Sequence, residues 1–290
     1  VILGALIWGG TFLVIELALE GITPFWLAAA RIGSAAIITS VIWALLGRKL
    51  WLSSDRAWGA LALVAALSSA LPFALLSWGQ QFVTSGYAGV SMAAVALIVL
   101  PMAHFLVPGE RMTLRRTLGF LIGFVGVVVL IGAQAFESTG SAHEGLGRLA
   151  CLGAAACYAS SSIFMRRLPP IDSTGLSAIL LIIGAVYVIP LAIVTEGMPK
   201  MPDNRTLLIL AFLGVVPTAG AAFLRVYVIR TAGPVFMSLT NYQVPVWSIV
   251  LGSYFLSEPL PSSLLFALAL ILSGVALSQY GALRRLFSRS

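Results

Sequence analysis

Residues 238–247 read SLTNYQVPVW, and Ser238, Asn241, Tyr242 and Pro245 fall at the spacing i, i+3, i+4, i+7. On a helix that spacing puts a hydroxyl, an amide, a phenol and a helix breaker on one face. Such groups can hydrogen-bond the amino and carboxyl ends of a small molecule while the ring stacks on its body. Pro245 has no N–H for the Asn241 carbonyl, so that oxygen is a further acceptor and the helix is weakened at the same turn. Similar stripes recur. Trp8, Thr11, Phe12 and Ile15 share a face, as do Tyr158, Ser161, Ser162 and Met165, and as do Ser77, Trp78 and Gln81, with Tyr227 on a further segment. Each also has a plain structural reading. Trp8, Trp78 and Tyr227 fit core packing or an interfacial belt, Thr11, Ser161 and Ser162 can bond their own helix, and Asn241 can bond a neighbouring one. The pattern is one of binding, not of catalysis. Asp55, Asp172 and Asp203 all lie in loops, and His104 has no nucleophile beside it. Cys151 and Cys157, six apart in one apolar run, match no metal spacing, and no cofactor is expected.

The elements that hold these stripes are membrane helices. Hydrophobic residues make up 60% of the chain, charged residues 9%, and mean hydropathy is +1.03. A soluble domain is nearer half apolar and a quarter charged. Ten segments reach the roughly 20 apolar residues a crossing needs: 1–19, 24–46, 57–80, 85–107, 114–136, 146–165, 173–194, 205–228, 234–256 and 261–281. Val1 already lies inside an apolar run, so a preceding N-terminal stretch is expected, and no cleavable signal peptide is readable. Gly119, Gly123 and Gly126 form a small-residue ridge on the fifth span, and Ala269 and Ser273 a similar one on the tenth, so both spans are expected at the periphery.

Lysine and arginine placement orients the spans. Twelve of the 17 lie in the loops after spans 2, 4, 6 and 8 and in the tail, three lie on the opposite face, and Arg31 and Arg225 lie within spans. This bias puts both termini in the cytoplasm and explains the basic pI without nucleic acid. The chain also repeats itself at a shift of about 148. TSGYAGVSM (84–92) lies over TAGPVFMSL (231–239), and Glu110 and Glu258 each precede a glycine by 16. The expected fold is therefore an all-α integral membrane protein of ten helices in two inverted five-helix repeats around a central cavity. The repeats span 1–136 and 146–281, with an outer linker at 137–145 and a basic cytoplasmic tail at 282–290.

WGGTF (8–12), Arg31 on the second helix, and GER (109–111) and SEP (257–259) between the fourth and fifth helices of each half resemble the EamA-type drug/metabolite transporters. Within that family the chain looks most like the YddG-type aromatic amino-acid exporters. The family pattern has a proline 13 residues before the glutamate. Pro245 keeps it before Glu258, whereas Leu97 stands there in the first half and Pro101 follows one turn later. Both prolines are expected gating points. The resemblance implies export of amino acids, aromatic ones preferred, by alternating access in a bacterial inner membrane. The partners are then a small-molecule substrate and the lipid bilayer, and a monomer is expected. Efflux of organic cations is an alternative, held by the same aromatics. Exchange of phosphorylated metabolites or nucleotide sugars is another, and it requires cations facing the cavity. An inverted repeat argues against a continuously open channel. Two roles are open to Arg31: an ion pair with Glu16 near the outer face, or a dock for a substrate carboxylate. Arg225 can simply snorkel to the cytoplasmic surface, and His104 fits a helix–helix contact. Small multidrug pumps, distant relatives, rely on a glutamate in their first helix. Glu16 has Arg166 as its repeat counterpart and lies near the outer end, so transport without proton coupling is expected.

Overall fold

The computed structural model describes residues 2–46, 57–107, 112–133, 142–169, 171–234, 237, 244–258, 260 and 262–287. Helix is the only regular structure among them. In chain order the helices are α1 (Ile2–Leu19), α2 (Pro24–Leu45), α3 (Ala57–Ala65), α4 (Leu71–Gly79), α5 (Ser85–Ser91), α6 (Ala94–Leu106), α7 (Leu114–Ala133), α8 (Glu144–Arg167), α9 (Ser173–Glu196), α10 (Asn204–Gly214), α11 (Ala221–Ala232), α12 (Val244–Leu256) and α13 (Ser262–Phe287). Among the described residues, six runs are long and apolar enough to cross a membrane: Pro24–Leu45, Trp58–Gly79, Ser85–Leu106, Glu144–Arg167, Ser173–Glu196 and Asn204–Thr231. In hydrocarbon only a structure that satisfies its own backbone can span, which is why these apolar stretches are helical throughout.

Two of the runs contain a wider turn. A π-helical turn at Ala66–Ala70 joins α3 to α4, and another at Val215–Gly220 joins α10 to α11. Their starts are separated by 149 positions, from 66 to 215, close to the shift of about 148 at which a repeat is expected. A proline accompanies each. Pro72 cannot serve the Ser68 carbonyl, and Pro217 cannot serve that of Leu213. The Thr218 hydroxyl donates to the Leu213 carbonyl at 2.6 Å in its place.

Helix ends are closed by side chains of matching charge. Glu196, the last residue of α9, accepts from the backbone N–H of Phe25 and Trp26, each at 3.1 Å, and from the Thr23 hydroxyl at 2.6 Å. Glu258 accepts from Ser85 N–H at 2.8 Å and Gly86 N–H at 3.0 Å. Both carboxylates thus sit at helix N-termini, where the unpaired N–H groups and the dipole favour them. At the opposite end of the bundle, Arg230 donates to the carbonyls of Leu168 and Pro169 just beyond α8, and Arg166 donates to the carbonyl of Arg230 near the end of α11. Asp203 caps α10 by accepting from Thr206, and those hydrogen bonds hold its carboxyl below the usual range. The chain leaves α11 at Gly233 with φ at 95°, a conformation that favours glycine.

The helices pack in pairs that cross the two halves of the chain: α2 on α9, α7 on α13, α1 on α12, and α8 on α4 and α6. The α7–α13 pair is the tightest. Backbone meets backbone there, because a Cβ at Gly274 would lie 2.8 Å from the Gly123 Cα and one at Gly126 would lie 2.8 Å from Ile271 N. Gly119, Gly123 and Gly126 form this contact as expected, but α13 meets them through Ala267, Ile271, Gly274 and Ser278. Ala269 and Ser273 face outward, because they lie on the far side of α13 from Gly274 and Ile271.

This contact gives a prediction with opposite signs at two glycines. Gly274→Ala is expected to destabilise by about 1–3 kcal/mol through overpacking. Gly33→Ala, where a Cβ meets nothing within 4 Å, is expected to be neutral or stabilising by up to about 1 kcal/mol. Thermal unfolding in detergent micelles compares the two.

Candidate functional site

One cavity of about 140 Å³ lies where α1, α2, α4, α8, α9 and α11 converge. At 10–15 Å³ for each water, that is room for roughly ten. From α1 it takes Trp8, Thr11, Phe12 and Ile15, the whole stripe whose spacing puts it on one face. From α8 it takes Tyr158, Ser162 and Met165. The first π turn and α4 add Ser68, Ser69, Phe73 and Leu76, and the second π turn and α11 add Pro217, Thr218, Ala221, Ala222 and Arg225. Arg31 enters from α2, Ser177 from α9, and Val244 from the start of α12.

Arg31 is only 3% exposed although it is charged. Its Nη2 donates to the Thr218 hydroxyl at 3.4 Å, its guanidinium lies over the Phe73 ring at 4.6 Å, and its Nε has no hydrogen-bond partner among the described residues. Arg225 Nη2 donates to the Tyr158 carbonyl at 3.0 Å, to Ser161 Oγ at 2.6 Å and to Ser162 Oγ at 3.1 Å. Its guanidinium lies over the Tyr158 ring at 5.1 Å. Both serine hydroxyls donate back to the Tyr158 carbonyl, so that turn of α8 is held as one cradle. Neither arginine has a carboxylate against it among the described residues, and none lines the cavity. The site therefore carries two cations, four aromatic rings (Trp8, Phe12, Phe73, Tyr158) and several hydroxyls.

The expected Arg31–Glu16 ion pair does not form. The guanidinium turns from α1 toward Thr218 and Phe73, and Glu16 Oε2 is buried without a hydrogen-bond partner among the described residues. Arg225 does not snorkel, because Ser161 and Ser162 hold it inward. Four expected site residues lie outside the cavity. Tyr227 is 51% exposed and stacks on Phe223, since it lies two residues, about 200°, round the helix from Arg225. On the α4 run the cavity face is Ser69, Phe73 and Leu76. Ser77 and Trp78 are rotated past it, with Trp78 edge-on to Phe82 at 5.0 Å, and Gln81 is exposed in the turn beyond. The cavity face keeps regular helical spacing through Ser69, Phe73 and Leu76, and Ser77 and Trp78 lie about 100° and 200° round the helix from Leu76.

Pro245 is buried in the first turn of α12, and Pro101 lies half-buried inside α6, away from the cavity. His104 is exposed and accepts from Met112 N–H at 3.2 Å, so it braces the turn after α6. Ser238, Asn241 and Tyr242 lie outside the described residues. Sequence reasoning passed over Ser68, Ser69, Phe73, Ser177 and Thr218 as cavity residues. The signal for the first three and for Thr218 was a proline a few residues away in an apolar helix, at Pro72 and Pro217.

The model of the EamA-like transporter family matches residues 1–132 and 145–280. The chain belongs to this family. Among EamA-like and other curated relatives, it is 23% identical to the Bacillus subtilis uncharacterized transporter YoaV, over 97% of this chain and 95% of that protein. It is 29% identical to YvbV of the same organism over 73% and 70% of the two chains. It is 26% identical to the Escherichia coli uncharacterized inner membrane transporter YedA over 95% and 88%. A solved crystal structure shares the fold with a TM-score of 0.72 at 22% identity, covering 98% of this chain and 96% of that one. As a member of a transporter family, the protein is a membrane transporter, and its cavity is the place to look for what it moves.

The second π turn yields a test of how this EamA-like cavity wall is held. Thr218→Val removes the donor that serves the Leu213 carbonyl and is expected to destabilise by about 1–3 kcal/mol. Adding Pro217→Ala supplies a backbone N–H for that carbonyl and is expected to recover most of the loss in thermal unfolding.

Proposed function

We propose that this EamA-like transporter moves small metabolites that carry a carboxylate on an aromatic or apolar body, amino acids with aromatic side chains foremost, by alternating access. The observation that carries the reading is the pair of guanidinium groups, Arg31 and Arg225, facing one cavity without a carboxylate among its described lining. Each lies against an aromatic ring, so a substrate carboxylate and a substrate ring would find partners side by side. Trp8, Thr11, Tyr158 and Ser162 are the proposed contacts on α1 and α8, and Ser238, Asn241 and Tyr242 those on the segment before α12. Pro245 and Pro101 are proposed bending points. Organic cations are disfavoured, since they would meet two fixed positive charges in a low-dielectric site. The same two arginines favour a second reading, a phosphorylated metabolite, over a cationic drug.

The proposed architecture is ten spans in two inverted repeats, with both termini cytoplasmic, in a bacterial inner membrane as a monomer. Support comes from the family match on each half, the π turns at matching positions, the pairing of α2 with α9 and α7 with α13, and the bias of lysine and arginine. The inner-membrane location follows the name of YedA.

Uptake into proteoliposomes tests the reading with tryptophan, phenylalanine, a hexose phosphate and tetraphenylphosphonium. Tryptophan and phenylalanine are expected to enter, and Arg225→Gln is expected to weaken their apparent affinity by about tenfold or more, the loss of a charged hydrogen bond. Uptake of the hexose phosphate alone favours the second reading. Uptake of tetraphenylphosphonium alone rejects both.

A further inference from the structure

The two arginines of the cavity are not equivalent. Arg225 Nη2 has three acceptors on one turn of α8. Arg31 has one hydrogen bond among the described residues, the contact at 3.4 Å to a hydroxyl already committed to the Leu213 carbonyl. A guanidinium carries five N–H donors, so Arg31 has donors to spare. Its side chain is almost wholly buried, its Nε has no hydrogen-bond partner, and the Phe73 ring covers one face of its plane. A buried charge in this state is costly, and an anion in the cavity relieves it. Arg31 is therefore the group that an anion there satisfies first.

The cavity has nothing comparable for a positive group. None of its described lining residues is an acid, and the sequence puts none at 235–243, the segment between Pro234 and Val244. On the helices that line it, Glu144 lies 14 residues before Tyr158 and Glu196 lies 15 after Leu181. Each is thus about 20 Å away along its helix axis. Glu16 follows Ile15 but is not part of the lining. The hydroxyls of Thr11, Ser69 and Ser177 donate to carbonyls one turn back, which leaves each a lone pair. A lone pair can accept from an ammonium, but it carries no charge to offset two guanidiniums. An amino acid therefore gains at its carboxylate and loses at its ammonium. The same body with a carboxylate and no ammonium keeps the gain alone.

We propose that Arg31 is the anion dock of this cavity, and that the site prefers an aromatic carboxylate without an ammonium group, an aryl propanoate or aryl oxo acid, to the matching amino acid. Bound there, the carboxylate accepts from the Arg31 guanidinium, and the ring lies among Trp8, Phe12 and Tyr158. Arg225 keeps its place in the α8 turn and adds its field. The inference rests on the carboxylate reading proposed above and reorders the preference within it.

Three ligands that share one phenyl body separate the charges. Hydrocinnamate carries the carboxylate alone, phenylalanine carries both groups, and phenethylamine carries the ammonium alone. Calorimetric titration of the full chain in lipid nanodiscs, with empty nanodiscs subtracted, compares them. Hydrocinnamate is expected to bind about tenfold or more tighter than phenylalanine, and phenethylamine not at all. Phenylalanine binding as tightly as hydrocinnamate, or tighter, overturns the preference and leaves the carboxylate reading standing. Binding of neither acid, or of phenethylamine alone, overturns both. Variants test the dock. Arg31→Gln is expected to weaken hydrocinnamate by about a hundredfold, and Arg225→Gln by the smaller factor given above. Arg31→Lys keeps a cation in the fold and is expected to fall between the wild type and Arg31→Gln; it decides the matter if Arg31→Gln does not fold. Wild-type affinity in either Arg31 variant, or a greater loss in Arg225→Gln than in both, overturns the dock.

Discussion

A guanidinium carried into an apolar bundle stays there only if neutral dipoles surround it or an anion meets it. Arg225 has the first condition. Ser161, Ser162 and the Tyr158 carbonyl give its Nη2 three acceptors, with no counter-charge among the described residues. Hydrogen bonds of this kind hold the group in place but leave its field uncancelled, and burying an uncancelled charge is costly. The rest of the site follows from that condition. The small residues Ala154, Ala155 and Ala159 are fully buried along α8, and aromatic rings rather than acids flank both arginines. The result is a cavity whose electrostatics favour an incoming anion.

The two π turns serve the same site from the backbone. A regular helix hides every carbonyl in its own ladder, so it offers a ligand nothing but side chains. Where Pro72 and Pro217 interrupt that ladder, Ser68 and Thr218 come to line the cavity. Thr218 then has two tasks, donating to the Leu213 carbonyl and accepting from Arg31. A backbone irregularity and a buried charge are thereby joined through one hydroxyl. Irregular backbone at membrane depth is tolerated where it borders a cavity or is buried in protein, and both turns meet that rule.

Several helix positions were legible from hydropathy and turn residues to within a few positions. The expected 24–46 is Pro24–Leu45, and the expected 173–194 is Ser173–Glu196. The α1 stripe was legible too, because α1 is regular and its spacing translates directly into a face. On α4 and α11 the choice of Ser77, Trp78 and Tyr227 followed residue type, and spacing within one helix does not tell which of its faces meets the cavity. The roles of Arg31 and Arg225 were hidden for a different reason. A lone cation within a span is compatible with snorkelling, pairing or lining a cavity, and only the neighbours across the bundle decide.

Glu196 and Glu258 cap helices that begin at Pro24 and Ser85. During synthesis those helix N-termini emerge from the ribosome well over a hundred residues before the carboxylates that complete them. Until then the N–H groups of Phe25, Trp26, Ser85 and Gly86 must find other acceptors, although Thr84 already serves Tyr87 N–H. The order of translation thus makes the first half dependent on the second for these contacts.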